Sequence, residues 1–469
     1  FGSSRPDSGG LGSSRSHTAC PVGGRLRSQA DRRGPTLTFT RAPVGEMMAL
    51  RILLAAASLQ APAAALHVSR GHGSALDRGF YVAHTETVKA TTFVDFVRKY
   101  DRAYSAGTEE WALREKAFNE SKRAALAFLD APMRSWVVGI TQFSDFTHEE
   151  RMAVLGWKGS YRSPSSKDLQ DTPSASWREW SHPKEFSVVT PGFGSLGATI
   201  RNQGGCGSCW AHAATSVLEA HMEANASIMK YLRKRLDSTG KTSSDESLSV
   251  KAVTHCTANP RNCGGNGGCS GATTELAFDM IQESGIPLDV EQEWSGDDHA
   301  VMCRESAQHE TLVSITGYEV LPSNKLHPLI QALYESGGPI GVSVDATTWF
   351  GYHGGILSDV GGPNTPGRFT INHAVVLVGY KMPERADDGS LDTGYWHIKN
   401  SWGPGWGEDG FIRVEMKENE EEHCGMDKNT HVGLACDGDP DEAWVCGTCG
   451  MLYDTTYPTG VYLKHPPAP

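Results

Sequence analysis

The chain has 469 residues, 39% of them hydrophobic, with a formal net charge of −12 and eleven cysteines. That length accommodates two or three domains and a sizeable core. The acidic balance, with a pI near 5.8, argues against a nucleic-acid partner and suits an acidic or extracellular compartment, while the cysteines suggest a disulfide framework.

Residues 1–46 begin at Phe1 and are rich in Gly, Ser, Arg and Pro without apolar periodicity, the pattern of a disordered segment or of sequence translated upstream of the true start. From Met47 the character changes. One positive charge at Arg51, a short apolar core and small residues at Ala63 and Ala65 read as a secretory signal over residues 47–65. A membrane anchor needs about 20 apolar residues, and this run is shorter and broken by Gln60 and Pro62.

Residues 66–155 carry helical patterning, with Phe93, Phe96 and Val97 first, then Trp111, Leu113, Ala117 and Phe118. Residues 156–173, rich in Ser, Pro, Lys and Gly, read as an exposed linker. The remainder, 174–469, holds the chemistry. In Gln203-Gly-Gly-Cys-Gly-Ser-Cys-Trp-Ala-His the glycines permit a tight backbone, and an apolar helical rhythm follows through Ala213, Ala214, Val217, Leu218 and Met222. Cys209 therefore falls in a first helical turn, where unpaired amides and the helix dipole favour a thiolate. Read alone, Cys206 and Cys209 also fit a redox or zinc Cys-x-x-Cys pair, but a thioredoxin-like motif should follow a strand in a βαβ unit and this one follows a Gly-rich loop.

Further on, Met229, Leu232 and Leu236 lie at helical spacing among basic residues, a solvated helical extension in the stretch 225–247. Asn119 and Asn225 open glycosylation sequons. Gly338 to Asp345 alternates as a strand. Ala374 to Val378 is a β-branched and apolar run with His373 at its start, and Asn400 follows a second strand within Lys-Asn-Ser-Trp. A thiolate needs an imidazole partner; His373 supplies one, Asn400 can hold it by its other nitrogen, and Trp402 can shield that bond from water.

The stretch Cys206-Gly-Ser-Cys-Trp, with His373 and Asn400 in that order, resembles the papain-like cysteine proteases, specifically the cathepsin L type, over roughly residues 90–457. The resemblance implies an α+β fold with a helical lobe and an antiparallel β-barrel-like lobe, preceded by a helical propeptide. It makes Cys209 the nucleophile, His373 the base, Asn400 its orienting residue and Gln203 an oxyanion donor. Glu110, Arg114, Phe118, Gly139, Phe143 and Asp145 match the propeptide pattern of the family, with Ser121 and Thr141 where Asn is usual. The expected activity is that of a cysteine endopeptidase zymogen, acting on proteins or peptides and inhibited by its own propeptide, monomeric, without metal, cofactor, nucleic acid or stable membrane span, and secreted or lysosomal. A non-catalytic binding or storage homologue would show a lost catalytic residue, and none is missing.

Finer expectations come from the same resemblance. Gly271 would offer backbone groups to an extended substrate, Ser343 and Ile371 would line the pocket for the second residue upstream of the cut bond, and Trp402 would cover the site. Cys206 would pair with Cys269 and Cys256 with Cys303. The tail departs most from the family: no cysteine lies before His373 to take Cys424, so Cys424, Cys436, Cys446 and Cys449 are expected to form two disulfides among themselves, leaving Cys263 without a partner. Zinc is the competing reading of those four cysteines, disfavoured in an oxidising compartment.

Overall fold

The computed structural model describes residues 78–131, 134–156, 182–189, 197, 199–239, 247–289, 303, 312–358, 369–385, 387–389, 391–428, 430, 436–440 and 442–464. The expected signal sequence, most of the linker and the start of the 174–469 region lie outside these residues.

The chain opens with helices α1 (Arg78–Ala90), α2 (Phe93–Lys99) and α3 (Glu109–Leu129). Thr92 and Asp95 cap α2 reciprocally, and Thr108 caps α3 through the amide of Trp111. Phe93, Phe96 and Phe118 pack into one aromatic cluster with Trp111 against its edge, each buried ring contributing about 1.5–3 kcal/mol. Leu113 departs from the expected apolar stripe, at 46% exposure. Strand β1 (Trp136–Val138) follows, then α4 (His148–Val154) with its own Thr147/Glu150 capping box.

Strand β2 (Glu185–Ser187) leads to the helical layer of α5 (Cys209–Glu223), α6 (Ala226–Thr239), α7 (Val250–Cys256) and α8 (Thr274–Ser284). Ala213, Ala214, Val217, Leu218 and Met222 of α5 are buried, as their spacing requires. Met229, Leu232 and Leu236 turn α6 toward the same core and leave Lys230, Arg233 and Lys234 in solvent. Short strands β3 (Ile286–Pro287), β4 (Leu312–Ser314) and β5 (Gly317–Val320) precede α9 (Leu326–Glu335).

The second layer is built from β6 (Ile340–Val344), β7 (Tyr352–Leu357), β8 (His373–Lys381), the hairpin of β9 (Glu384–Arg385) and β10 (Leu391–Asp392), β11 (Gly394–Lys399), β12 (Phe411–Met416), β13 (Cys424–Asp427), β14 (Ala443–Cys446), β15 (Thr455–Thr459) and β16 (Tyr462–Lys464). Among the described residues the main sheet runs β1-β7-β12-β11-β8-β6-β15-β5, with β2 also paired to β8. The N-terminal segment supplies its edge: Trp136 pairs with Gly355 and Val138 with Tyr352, so β1 is an added antiparallel strand. Strands β8 and β11 are buried at its centre, and α5 packs on β8. That contact brings the Cys209 thiol to the backbone of Ala374, the residue after His373.

Candidate active site

Cys209 is the first residue of α5 and is fully buried. Ser208 precedes it without a side-chain cap, so the first-turn amides remain directed toward the thiol region. The loop before it is fixed from two sides. Arg201 forms two hydrogen bonds to Glu219 of α5 at 2.5 and 2.7 Å, and Gln203 N donates to Ser401 O at 2.9 Å. The Ser401 hydroxyl donates to Gln203 Oε1 at 2.6 Å, which turns the amide nitrogen of Gln203 into the cleft. Nothing in the sequence marks Ser401 beyond its place directly after Asn400.

His373 opens β8 and lies 0% exposed. Its Nε2 is 2.9 Å from Asn400 Oδ1, and that oxygen also accepts from the Ser401 amide at 2.8 Å. The Ser401 amide marks that atom as the Asn400 carbonyl oxygen, which can only accept, so Nε2 carries the proton and Nδ1 is the basic nitrogen. Nδ1 is buried without a hydrogen-bond partner among the described residues. Trp402, fully buried, lies 4.9 Å from the His373 ring and stacks on Phe350, covering the Asn400 bond.

Burial shifts both members of the pair toward their neutral forms, against the thiolate expected at a helix N-terminus. Burial pushes the Cys209 thiol up to about 11, against the opposing effect of backbone groups of Ala374, Gly156 and Trp210. Burial also pulls His373 down to about 4, with the Asn400 bond working the other way and His212 adding to the fall. Gly156 explains part of that enclosure. A Cβ built on it would lie 1.8 Å from Gly207 O, and its carbonyl reaches 2.6 Å from a Cβ on Gly271. Next to it, the Val154 carbonyl accepts a 2.8 Å hydrogen bond from Gln203 Nε2. Residues 154–156 therefore run through the cleft between Gln203, Gly207 and Gly271, with Gln142 Nε2 donating to Trp402 O at 2.8 Å on the other side.

The remaining expected residues are distributed as follows. Gly271 is buried at φ +94°, a conformation open to glycine, with Gly156 and Gly264 against it. Ser343 is 2% exposed and its hydroxyl donates to Asp454 Oδ2 at 2.8 Å; Ile371 is fully buried against Gly450. Asn119 is exposed on α3, while Asn225 is half-buried and accepts from the amides of Ser227 and Ile228 at the start of α6.

The disulfides correct the reading of the tail. Cys206 is bonded to Cys269 and Cys256 to Cys303. Cys263, expected to be unpaired, is bonded to Cys436, and Cys424 to Cys446, so that the tail holds one internal bridge and Cys449 remains a buried thiol. Strand pairing accounts for the second bond, since β13 and β14 place Cys424 directly opposite Cys446. Cys449 sits in a turn at φ +57° with its carbonyl on the Asp345 amide, directed into the core. The Cys263–Cys436 bond spans 173 residues, and only the folded chain shows that their loops meet.

A cysteine that opens a helix beside the Ala374 backbone, with an amide-held imidazole on the adjoining residue His373, is the arrangement of a cysteine-nucleophile hydrolase of α+β class. Comparison with known proteins identifies which. Residues 183–434 match the model of the papain family cysteine proteases, more than half of the chain. Cathepsin J of Mus musculus is 29% identical over 341 residues, covering 71% of this chain and 88% of the relative. A cysteine proteinase of Trypanosoma brucei brucei is 30% identical over 351 residues, covering 72% and 66%. Among solved structures, digestive procathepsin L 3 of Tenebrio molitor has the same fold, with a TM-score of 0.51 at 23% identity over 80% of this chain and 99% of that one. The chain belongs to the papain family of cysteine proteases. It is a cysteine endopeptidase zymogen, a hydrolase precursor whose cleft is filled by its own N-terminal segment.

Proposed function

We propose that Cys209, His373, Asn400 and Gln203 carry out the hydrolysis and that residues 66–155 form the inhibitory propeptide. The carrying observation is the Val154 carbonyl on Gln203 Nε2, because a donor aimed at a foreign carbonyl in the cleft is a donor placed for the oxyanion of a substrate. Once the segment leaves, the Cys209 sulfur attacks the substrate carbonyl carbon while its proton passes to His373 Nδ1. The oxyanion rests on Gln203 Nε2 and the Cys209 amide. Collapse expels the amine, which takes the proton from His373, and leaves an acyl-enzyme. Water, deprotonated by the same nitrogen, releases the acid and restores the thiol. Asn400 keeps the ring in the tautomer this sequence needs.

The substrate is an extended peptide running along Gly271, with Ser343 and Ile371 bordering the pocket for its second upstream residue. Activation occurs by cutting within residues 156–176, most of which lie outside the described part of the chain. The secretory signal, the disulfides and the acidic balance support a monomeric enzyme of the secretory pathway, lysosomal or extracellular, with glycans on Asn119 and Asn225. No helix among the described residues is long and apolar enough to cross a membrane. Replacing Cys209 by Ala tests the assignment: hydrolysis by the acid-processed protein should vanish, and retained hydrolysis overturns it.

A further inference from the structure

Four consecutive residues lead the chain into His373, and each is held by a different group. Phe369 is buried with its ring over Gly425 of β13, where a Cβ would stand 2.7 Å from it. The Thr370 amide donates to Asp345 Oδ2 at 3.0 Å, and the Ile371 amide donates to Asp427 Oδ2 at 3.0 Å. Asn372 N donates to Val344 O at 3.0 Å, while its side chain accepts from the Ala346 amide and donates to Thr347 Oγ1. Val344 to Thr347 close β6 and follow it, on the strand already paired with β8. Asp427 comes from elsewhere: it ends β13 in the cysteine-rich tail, and its carboxylate is fully buried. The hairpin that carries it is well supported. Cys424 is bonded to Cys446 across β13 and β14, and Asn324 accepts from Cys446 N at 2.8 Å and donates to Trp444 O at 3.0 Å. Just before β13, the buried Glu420 accepts from Trp396 Nε1 of β11 at 3.1 Å and from the Thr448 amide at 2.7 Å. Strand β11 delivers Asn400, so the hairpin is tied to both members of the His373 and Asn400 pair, to the approach of one through Asp427 and to the strand of the other through Glu420.

We infer that Asp427 is a positioning residue for His373: its carboxylate fixes the Ile371 amide, and with it the point from which the imidazole meets Asn400 and serves Cys209. This rests on the reading of His373 as the base. Ile371 is fully buried, so without the carboxylate its N–H loses its acceptor away from water, and the loop must shift to satisfy it. That loop is two residues from the imidazole, and a misplacement of about 1 Å at a reacting pair costs about 10²-fold in rate. An amide side chain at the same position offers the same acceptor oxygen, whereas an apolar side chain of similar size offers none.

The test measures alkylation of the acid-processed enzyme by iodoacetamide against pH, followed at Cys209 by peptide mapping, beside kcat on a short peptide. The reagent is too small to use the pocket that Ile371 borders, so its rate reports the thiol and its base and not substrate fit. In the native enzyme Cys209 should react rapidly at pH 6, well below the ordinary thiol value of about 8.5, because His373 takes its proton. Asp427→Leu should slow that reaction roughly tenfold and lower kcat by a similar factor, while Asp427→Asn stays within about twofold of native. If Asp427→Leu is not secreted, Gly425→Ala, which pushes β13 off the Phe369 ring, should slow alkylation in the same direction. A native alkylation profile in the variant that is obtained, or an Asp427→Asn enzyme as slow as Asp427→Leu, overturns the positioning role. A His373→Ala enzyme that reacts as fast as native at pH 6 would instead remove the reading of His373 as the base.

Discussion

Gln203 Nε2 donates to the carbonyl of Val154 at 2.8 Å, so the group that would stabilise a substrate oxyanion is already engaged by the protein's own chain. The contact joins inhibition to catalysis through one side chain. In the processed enzyme, Gln203→Ala should lower kcat by about 10²–10³-fold with little change in KM, because the donor acts mainly on the developing charge. Steady-state kinetics on a short peptide measures this, and an unchanged kcat would contradict it.

Gly156 makes a second point of closure. No side chain fits there, since a Cβ would stand 1.8 Å from Gly207 O. A precursor carrying Gly156→Val should expose the cleft while still uncut, and it should react with a thiol-directed inhibitor at neutral pH where the native precursor does not.

The propeptide is held by a buried polar centre as well as by rings. Asp145, 1% exposed, accepts from Arg102 Nη2 at 2.8 Å and Tyr104 OH at 2.9 Å, and its carbonyl accepts from Arg114 Nη1. Arg114 in turn grips Glu150 of α4 through two hydrogen bonds. Removing the carboxylate strips Arg102 of its ion-pair partner and Tyr104 OH of its acceptor, so Asp145→Ala should cost about 3 kcal/mol in the precursor. Denaturant unfolding of precursor and processed enzyme separates the two, and the processed enzyme should be unaffected.

A pH-dependent contact is expected where α1 meets β7. His84 of α1 stacks on His353 of β7 at 4.6 Å, with His84 Nε2 2.8 Å from Val138 O. Burial lowers His84, and burial followed by the His84 and Lys99 charges lowers His353 to about 4. A released propeptide regains the usual value near 6.5, so the docked form binds fewer protons below that pH. Docking stability is complete above about 6.5 and is lost as pH falls toward about 4. His84→Phe with His353→Phe keeps the stack and removes the titration. The midpoint of acid processing should move to lower pH, and an unmoved midpoint would place the sensor elsewhere.

The parts of this structure legible in the sequence are those governed by local rules. The apolar spacing after Cys209 specifies α5, and the β-branched run after His373 specifies β8. Both motifs put their reactive side chain at the element's first residue, where exposure of backbone groups matters most. Residues that meet only through the tertiary fold stayed hidden. Ser401 on Gln203, Val154 in the cleft and Cys436 beside Cys263 are joined across 198, 49 and 173 residues. The expectation keeps all four tail cysteines paired among themselves, whereas the β13–β14 register sets Cys424 opposite Cys446 and Cys436 bonds Cys263 beside the Arg261–Asp439 contact. Ser121, where the family pattern has Asn, bonds Ala117 O and Ser144 O through its hydroxyl and accepts from Arg151, a junction between α3 and α4 that its position alone does not reveal.

On this mechanism Cys209 is the nucleophile and residues 154–156 cover it in the precursor. The most direct test is mass-spectrometric mapping of an epoxide thiol inhibitor on the uncut precursor at neutral pH and on the acid-processed enzyme. The precursor should carry no adduct, and the processed enzyme one, on Cys209. An adduct on Cys449 or any other cysteine, or full labelling of Cys209 in the uncut chain, would contradict it.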